Sequence, residues 1–460
     1  MSHCARLAEW STAQTFDALP DDIVRLTKQR ILDVIGVALP SLGTEFGQAV
    51  YRAALRMGGG IESSALGFGT RMPANLAALV NGALAHEFEY DDTHNETAIH
   101  VSSPVVVAAL AMAEACGASG RDLLTAVAVG NEITCRIGVA APGEFYKSGY
   151  HPTAVVGTFG VLYAAGRLLG LTPAQVAHAA GIAGSMTSGS MQSWSDGASA
   201  KSLHPGIAGQ AGIGAVRLAA EGVTGPAEVF EGRWGFFHQH VRTPDYPVDY
   251  ARMLGGLGSV WESRGISFKP YPTGHLFHAF LDAALALYAQ GVRADHIANV
   301  TCRIADYMVP IVCEPRAEKI RPATTWHARV SMQFSLAEAF TYGKLDVESY
   351  SAERLRDAGL LDLASRVGYE VDPNAPGRDQ WRGWVVVELH DGRRLEHIQP
   401  YNWGSPQNPM TEADVEAKFL ANARGVLSDA AAAEIVRRVR GLEAEAGVAE
   451  IVGLCRMAAG

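Results

Sequence analysis

Long stretches of the first half of the chain carry apolar residues at helical spacing, and most of them open on a proline. After Pro20-Asp21-Asp22, residues Ile23, Val24, Leu26, Ile31, Leu32, Val34 and Ile35 make one broad apolar face, the spacing of an amphipathic helix. Pro73 opens a segment over 74–86, and Ser103-Pro104 opens one that reaches Cys116. Ser119, just ahead of Arg121-Asp122, precedes an apolar stretch to Ala140. Pro152 opens 153–169, Thr172-Pro173 opens the next segment, and Pro205 opens one that reaches Ala220. Proline suits the first helical turn because its fixed φ fits there and its missing N–H would have no partner anyway. Several of these helices, 154–169 above all, are apolar nearly all round, which places them inside a large helical core.

The pattern changes after about residue 265. Segments 297–304 and 384–389 read as strands, with Asp391-Gly392 as a hairpin turn before a strand over 394–398. Helical spacing returns at 275–288, 330–342 and 351–365, and again at 411–424 and 428–446. The expected fold class is mainly α. A large all-helical domain spans 1–268 and 405–460, and a smaller α+β domain spans 269–404. No G-x-G-x-x-G follows a strand, so a dinucleotide fold has no support.

Composition narrows the function. The 460 residues are 48% hydrophobic and 19% charged, enough to bury a sizeable core, and 49 glycines suit close helix contacts. The net charge is −10 and no basic run of five or more occurs, so nucleic acid is not an expected partner. The six cysteines form no C-x-x-C, and Cys116 and Cys135 lie in apolar stretches as buried thiols. No apolar run is long enough to span a bilayer, and the first residues lack the build of a signal peptide. The expectation is a cytoplasmic protein with no membrane association.

Polar chemistry concentrates in a few loops. Residues 87–100 hold five carboxylates and two imidazoles between two apolar helices: Glu87, Glu89, Asp91, Asp92, Glu96, His94 and His100. A solvated loop can look like this, but loops held by rigid helices also carry sites, and carboxylates beside histidine make acid–base pairs. Gly149-Tyr150-His151-Pro152 puts a histidine just before a helix, where backbone N–H groups favour an anion. Asp196-Gly197 through Lys201 to His204-Pro205-Gly206 puts a lysine and a histidine at another helix start. Lys269-Pro270-Tyr271-Pro272 marks the domain junction. Each of these segments, taken singly, is as well read as ordinary loop.

In this order, with Glu89-Tyr90-Asp91-Asp92-Thr93, His100 and His275, the motifs resemble the MmgE/PrpD family over nearly the whole chain. That family includes 2-methylcitrate dehydratase, cis-aconitate decarboxylase and iminodisuccinate epimerase. The resemblance implies a helical domain with an α+β lid, a homodimer, and a site in the cleft between the domains. It implies catalytic roles for Thr93, His100, His151, Lys201 and Lys269, and substrate contacts from Glu89, Asp92, His204 and Tyr271. Glu89 stands where the family commonly has Asp, Val101 where it usually has Pro, and Phe334 where some members carry Tyr.

The implied reaction is a cofactor-independent, metal-free lyase step on a small di- or tricarboxylate, by dehydration or decarboxylation. Taking a proton from beside a carboxylate builds charge that ammonium and imidazole groups must hold. His100 and His151 are the acid–base candidates, and Lys201 and Lys269 the carboxylate clamps. Epimerisation of a dicarboxylate such as an iminodisuccinate-like compound is the alternative. Two further readings are a carboxylate-binding protein without activity, and a metal-dependent hydrolase built on Asp91, Asp92, His94 and His100.

Overall fold

A computed structural model of the chain describes residues 1–377 and 380–458. They divide into two compact units: residues 1–87, 91–266 and 411–460 form the first, and residues 88–90 with 267–410 form the second. The architecture is mainly α, with the strands of the one larger sheet confined to the second unit.

In the first unit, helices Asp21–Ala38, Ala74–His86, Ser102–Cys116, Gly120–Val139, Gly157–Leu168 and His204–Ala220 pack on one another. Helices Ala74–His86, Ser102–Cys116, Gly120–Val139 and Gly157–Leu168 are buried along most of their length, which is why their sequences are apolar on nearly every face. The helix starts follow the sequence signals. Ser119 and Asp122 form a reciprocal capping box, and Thr172 and Gln175 form another at the start of Pro173–Ala183. One crossing matters for the site. A Cβ on Gly82 would lie 2.5 Å from the backbone nitrogen of Gly206, and one on Gly206 would run into the Leu79 carbonyl. Helices Ala74–His86 and His204–Ala220 therefore touch backbone to backbone, close to His86 on one and His204 on the other.

The second unit holds a four-stranded sheet in the order Val367–Val371, Ile297–Ile304, Gly383–Leu389, Arg394–Gln399. The first pair is parallel, with Val300 opposite Val367, and the other two are antiparallel. The turn at Asp391-Gly392 is present, with Gly392 at φ 85°. Ile297, Val300, Cys302 and Ile304 alternate into a core that also takes Phe280, Leu287, Leu336 and Phe340 from helices His278–Ala289 and Met332–Tyr342.

Four expectations need correction. Cys116 is exposed, so only Cys135 of the two expected buried thiols is buried. The predicted helix 153–169 is two helices, Pro152–Val155 and Gly157–Leu168, with the break at Val156. The predicted helix 351–365 is regular only over Ala358–Ser365, because the Asp357 carboxylate accepts from Gly359 and Leu360 N–H and caps the helix there. The last predicted helix, 428–446, ends at Arg440 before Gly441 and continues only as a 3₁₀ turn, Leu442–Ala444. Strand Val367–Val371 was not anticipated.

Candidate active site

The acidic loop of the first unit folds back on itself. His94 pairs with Ile99 in an isolated bridge, and Ala98 adopts a left-handed conformation at φ 54° to close the turn. The loop is fixed onto the next helix by Asp92, whose Oδ1 accepts the Ser102 N–H at 2.9 Å. The Thr153 hydroxyl accepts the His100 N–H at 3.0 Å. Every residue from Asp91 to His94 is buried, as are Thr97 and His100. This is a built loop rather than a solvated one.

Asp91 is its electrostatic centre. Its two carboxylate oxygens lie 2.9 and 3.0 Å from His86 Nδ1, and Oδ1 lies 3.1 Å from His100 Nδ1. Burial alone would raise its pKa, but the charges of His100 and His86 and their hydrogen bonds outweigh it and hold the carboxyl well below the usual range. On its other side, His86 Nε2 lies 3.0 Å from Lys201 Nζ. When the His86 ring is neutral, Nδ1–H donating to Asp91 leaves Nε2 to accept from the Lys201 ammonium. Lys201 is buried, with Nζ 5.9 Å from the centre of the Trp194 ring.

The second pair of imidazoles completes the cluster. His151 Nδ1 lies 2.9 Å from His204 Nδ1. His86 and His100 meet edge to face at 4.5 Å between ring centres, and His151 lies 5.5 Å from the first and 5.9 Å from the second. His151 is completely buried, and its pKa is driven well below the ordinary value, first by burial and then by Lys201, His204, His86 and His100. Among the described residues its Nε2 has no hydrogen-bond partner, and neither has the buried hydroxyl of Thr93. Two polar atoms aimed at no protein group suit a polar ligand.

Of the residues expected at the site, the first unit brings His100, His151, Lys201 and His204 into one cluster. Asp92 accepts the Ser102 N–H. Burial raises its pKa to about 6 even though the buried Arg30 pulls the other way. His86 joins the cluster without having been singled out. In the sequence it is the last residue of an apolar helix, and only its spacing of five residues to Asp91 hints at a partner.

Lys269, Glu89 and Tyr271 belong to the second unit. Lys269 Nζ donates to the Glu89 carbonyl at 2.7 Å and lies 3.7 Å from its carboxylate, and Glu89 itself is left-handed at φ 53°. The Tyr271 hydroxyl donates to Asp282 at 2.8 Å. Phe334 is buried, and its ring lies 6.1 Å from that of Tyr350, whose hydroxyl pairs with Ser335 at 2.9 Å.

His86, His100 and His151 could also hold a metal ion, since one nitrogen from each falls within 4.8 Å of the others. The ammonium on His86 Nε2 opposes a cation there. The metal set read from the sequence does not assemble among the described residues: Asp92 caps a helix, and His94 Nδ1 pairs with Thr97 Oγ1 at 3.0 Å.

A many-helix domain with imidazoles and an ammonium buried together at its helix ends, joined in one chain to an α+β unit, defines a two-domain protein equipped for acid–base chemistry. The chain belongs to the MmgE/PrpD family: the model of the MmgE/PrpD N-terminal domain matches residues 5–249 and that of the C-terminal domain matches residues 271–443. Among curated relatives, cis-aconitate decarboxylase of Mus musculus is 29% identical, covering 92% of this chain and 87% of the relative. The human cis-aconitate decarboxylase is 28% identical over 92% of this chain and 88% of its own length. Cis-aconitate decarboxylase of Aspergillus terreus is 25% identical over 95% and 93%. Among the described residues no helix is long and apolar enough to cross a membrane.

Proposed function

We propose that this chain is a cofactor-independent lyase that releases CO₂ from a small polycarboxylic acid. The observation that carries the reading is the buried cluster of His86, His100, His151, His204 and Lys201, with the Asp91 carboxylate holding His86 and His100. Loss of CO₂ leaves an electron pair beside the remaining carboxylates. A site that supplies fixed positive charge where that pair forms lowers the barrier, and burial strengthens each contact. Lys201 attracts a substrate carboxylate, and Thr93 Oγ1 offers it a hydrogen bond. His100 and His151 are the proton carriers.

Decarboxylation is favoured over dehydration and epimerisation because the curated relatives quoted above are named for it. As the family resemblance implies, the working form is proposed to be a homodimer, to be checked by light scattering. The direct test is NMR in D₂O with ¹³C-labelled cis-aconitate, citrate, 2-methylcitrate, a tartrate and an amino-dicarboxylate. The expected result is labelled CO₂ with one deuterium in the product of one acid, and a rate about 10²–10⁴-fold lower in H151Q. Deuterium exchange without CO₂ would replace the lyase with an epimerase, and binding without exchange would leave a carboxylate-binding protein.

A further inference from the structure

We infer that His204 is a positioning residue and proton relay for His151, setting through their shared Nδ1–Nδ1 hydrogen bond whether His151 Nε2 is an acid or a base. The inference rests on the lyase reading for the identity of the reaction, but the pairing itself rests on geometry alone. The two Nδ1 atoms are 2.9 Å apart, the ring centres are 5.0 Å apart, and both residues are buried. Two bare nitrogens would repel at that distance, so one proton lies between them. With the proton on His204, His151 accepts at Nδ1 and carries its own hydrogen on Nε2, which is then a donor. With the proton on His151 Nδ1, Nε2 is bare and is a base.

The surroundings favour this arrangement over a simple imidazolium at His151. The groups around its ring are Lys201, His86, His100 and His204, with Tyr146 at 6.0 Å between ring centres. Asp91 is engaged by His86 and His100. Burial and the surrounding ammonium and imidazole groups oppose a positive charge on His151, so it works as a neutral ring. A neutral imidazole that gives up its Nε2 hydrogen becomes an anion unless its Nδ1 is protonated in the same step. His204 supplies that proton.

The step balances as follows. The bond between carbon and the departing carboxylate breaks, its electron pair stays on carbon, and CO₂ leaves. That carbon takes the hydrogen from His151 Nε2, while the Nδ1 proton of His204 crosses to His151 Nδ1. His204 enters as an imidazolium and leaves neutral, and a proton from solvent restores it. In the reverse sense, the same pair would let His151 Nε2 take a proton. The family resemblance implies a substrate contact for His204; the relay is a different role, argued from its hydrogen bond to His151.

The test uses the full-length protein. In H204Q, conversion of cis-aconitate is expected to lose about 10²–10³-fold in kcat, with KM within about threefold. Wild-type kcat should fall as pH rises and the relay proton is lost, and H204Q should lack that limb. Selective ¹⁵N-histidine labelling supplies a readout without substrate: the His151 resonances, assigned by their loss in H151Q, should change tautomer with pH in the wild type and not in H204Q. A His151 tautomer that is the same at all pH values in the wild type overturns the relay. So does an H204Q pH profile parallel to that of the wild type. If H204Q fails to fold, the wild-type titration decides alone. If no acid is turned over by the wild type, the lyase reading falls, and the ¹⁵N titration still decides the pairing.

Discussion

Replacing Asp91 by asparagine removes the negative charge at the centre of the cluster while nearly keeping its shape. The carboxylate accepts from two imidazoles, His86 at 2.9 and 3.0 Å and His100 at 3.1 Å. An amide can keep its acceptor oxygen at the Oδ1 position, which faces both rings, but then puts an N–H donor where Oδ2 faced His86 and leaves both remaining hydrogen bonds without the charge. A hydrogen bond to a charged group contributes about 1.5–3 kcal/mol and a neutral one about 1 kcal/mol. Weakening both from charged to neutral therefore removes roughly 1–4 kcal/mol of interaction. Against this, the amide escapes the desolvation of a buried carboxylate. The pKa decides which effect wins: burial raises it, the imidazoles lower it, and the balance is downward. D91N should destabilise the folded protein by about 1–3 kcal/mol at neutral pH.

The sign with pH follows from the depressed value. A carboxylate that titrates lower when folded adds stability above its unfolded pKa of about 3.9 and loses it as pH falls through the folded pKa. The gap between wild type and D91N should be widest above pH about 4 and close in stronger acid. Because His86 also fixes Lys201, kcat should fall about 10²–10³-fold, a size typical of a lost acid–base arrangement. Denaturant unfolding at neutral and acid pH, with CO₂ release as the rate assay, measures both. Unchanged stability and turnover in D91N would refute the view that one carboxylate holds the imidazole cluster in register.

Three further outcomes are expected. Asp92 is the opposite case: with its folded pKa raised to about 6 by burial, the folded state holds the proton more tightly, and wild-type stability should fall between pH about 4 and about 6. D92N keeps an oxygen for the Ser102 N–H and removes that loss, so its stability relative to wild type should rise over the same interval, by up to about 3 kcal/mol. G82A gains at most about 1 kcal/mol of helix propensity but forces a methyl to within 2.5 Å of the Gly206 nitrogen, so a net loss of about 1–3 kcal/mol and lower turnover should appear together. K269M strips the Glu89 carbonyl of its buried donor and should cost about 2–4 kcal/mol, read as faster proteolysis around residues 88–90.

Helix starts were legible because proline and capping chemistry act locally: Ala74–His86, the Ser119–Asp122 box and the Thr172–Gln175 box all stand where the residues put them. The break at Val156 was not, since a segment apolar on every face has no periodicity to interrupt. Strand Val367–Val371 was hidden because its Val-Gly-Tyr-Glu-Val run is short and only its first residue is fully buried, so it shows no clean alternation. At the site, the polar loops were visible as clusters of residue types. What escaped was partnership. His86 lies in an apolar helix, and His151 and His204 stand 53 residues apart, so neither contact leaves a local trace.

The crossing of Gly82 over Gly206 sets a limit on how this scaffold can be retuned. A junction made of backbone offers no side chain to enlarge, trim or recharge, so His86, Lys201 and His204 inherit a spacing that substitution cannot adjust in small steps. New specificities on this framework must then arise from the loops around the cluster, with the crossing left as a fixed gauge.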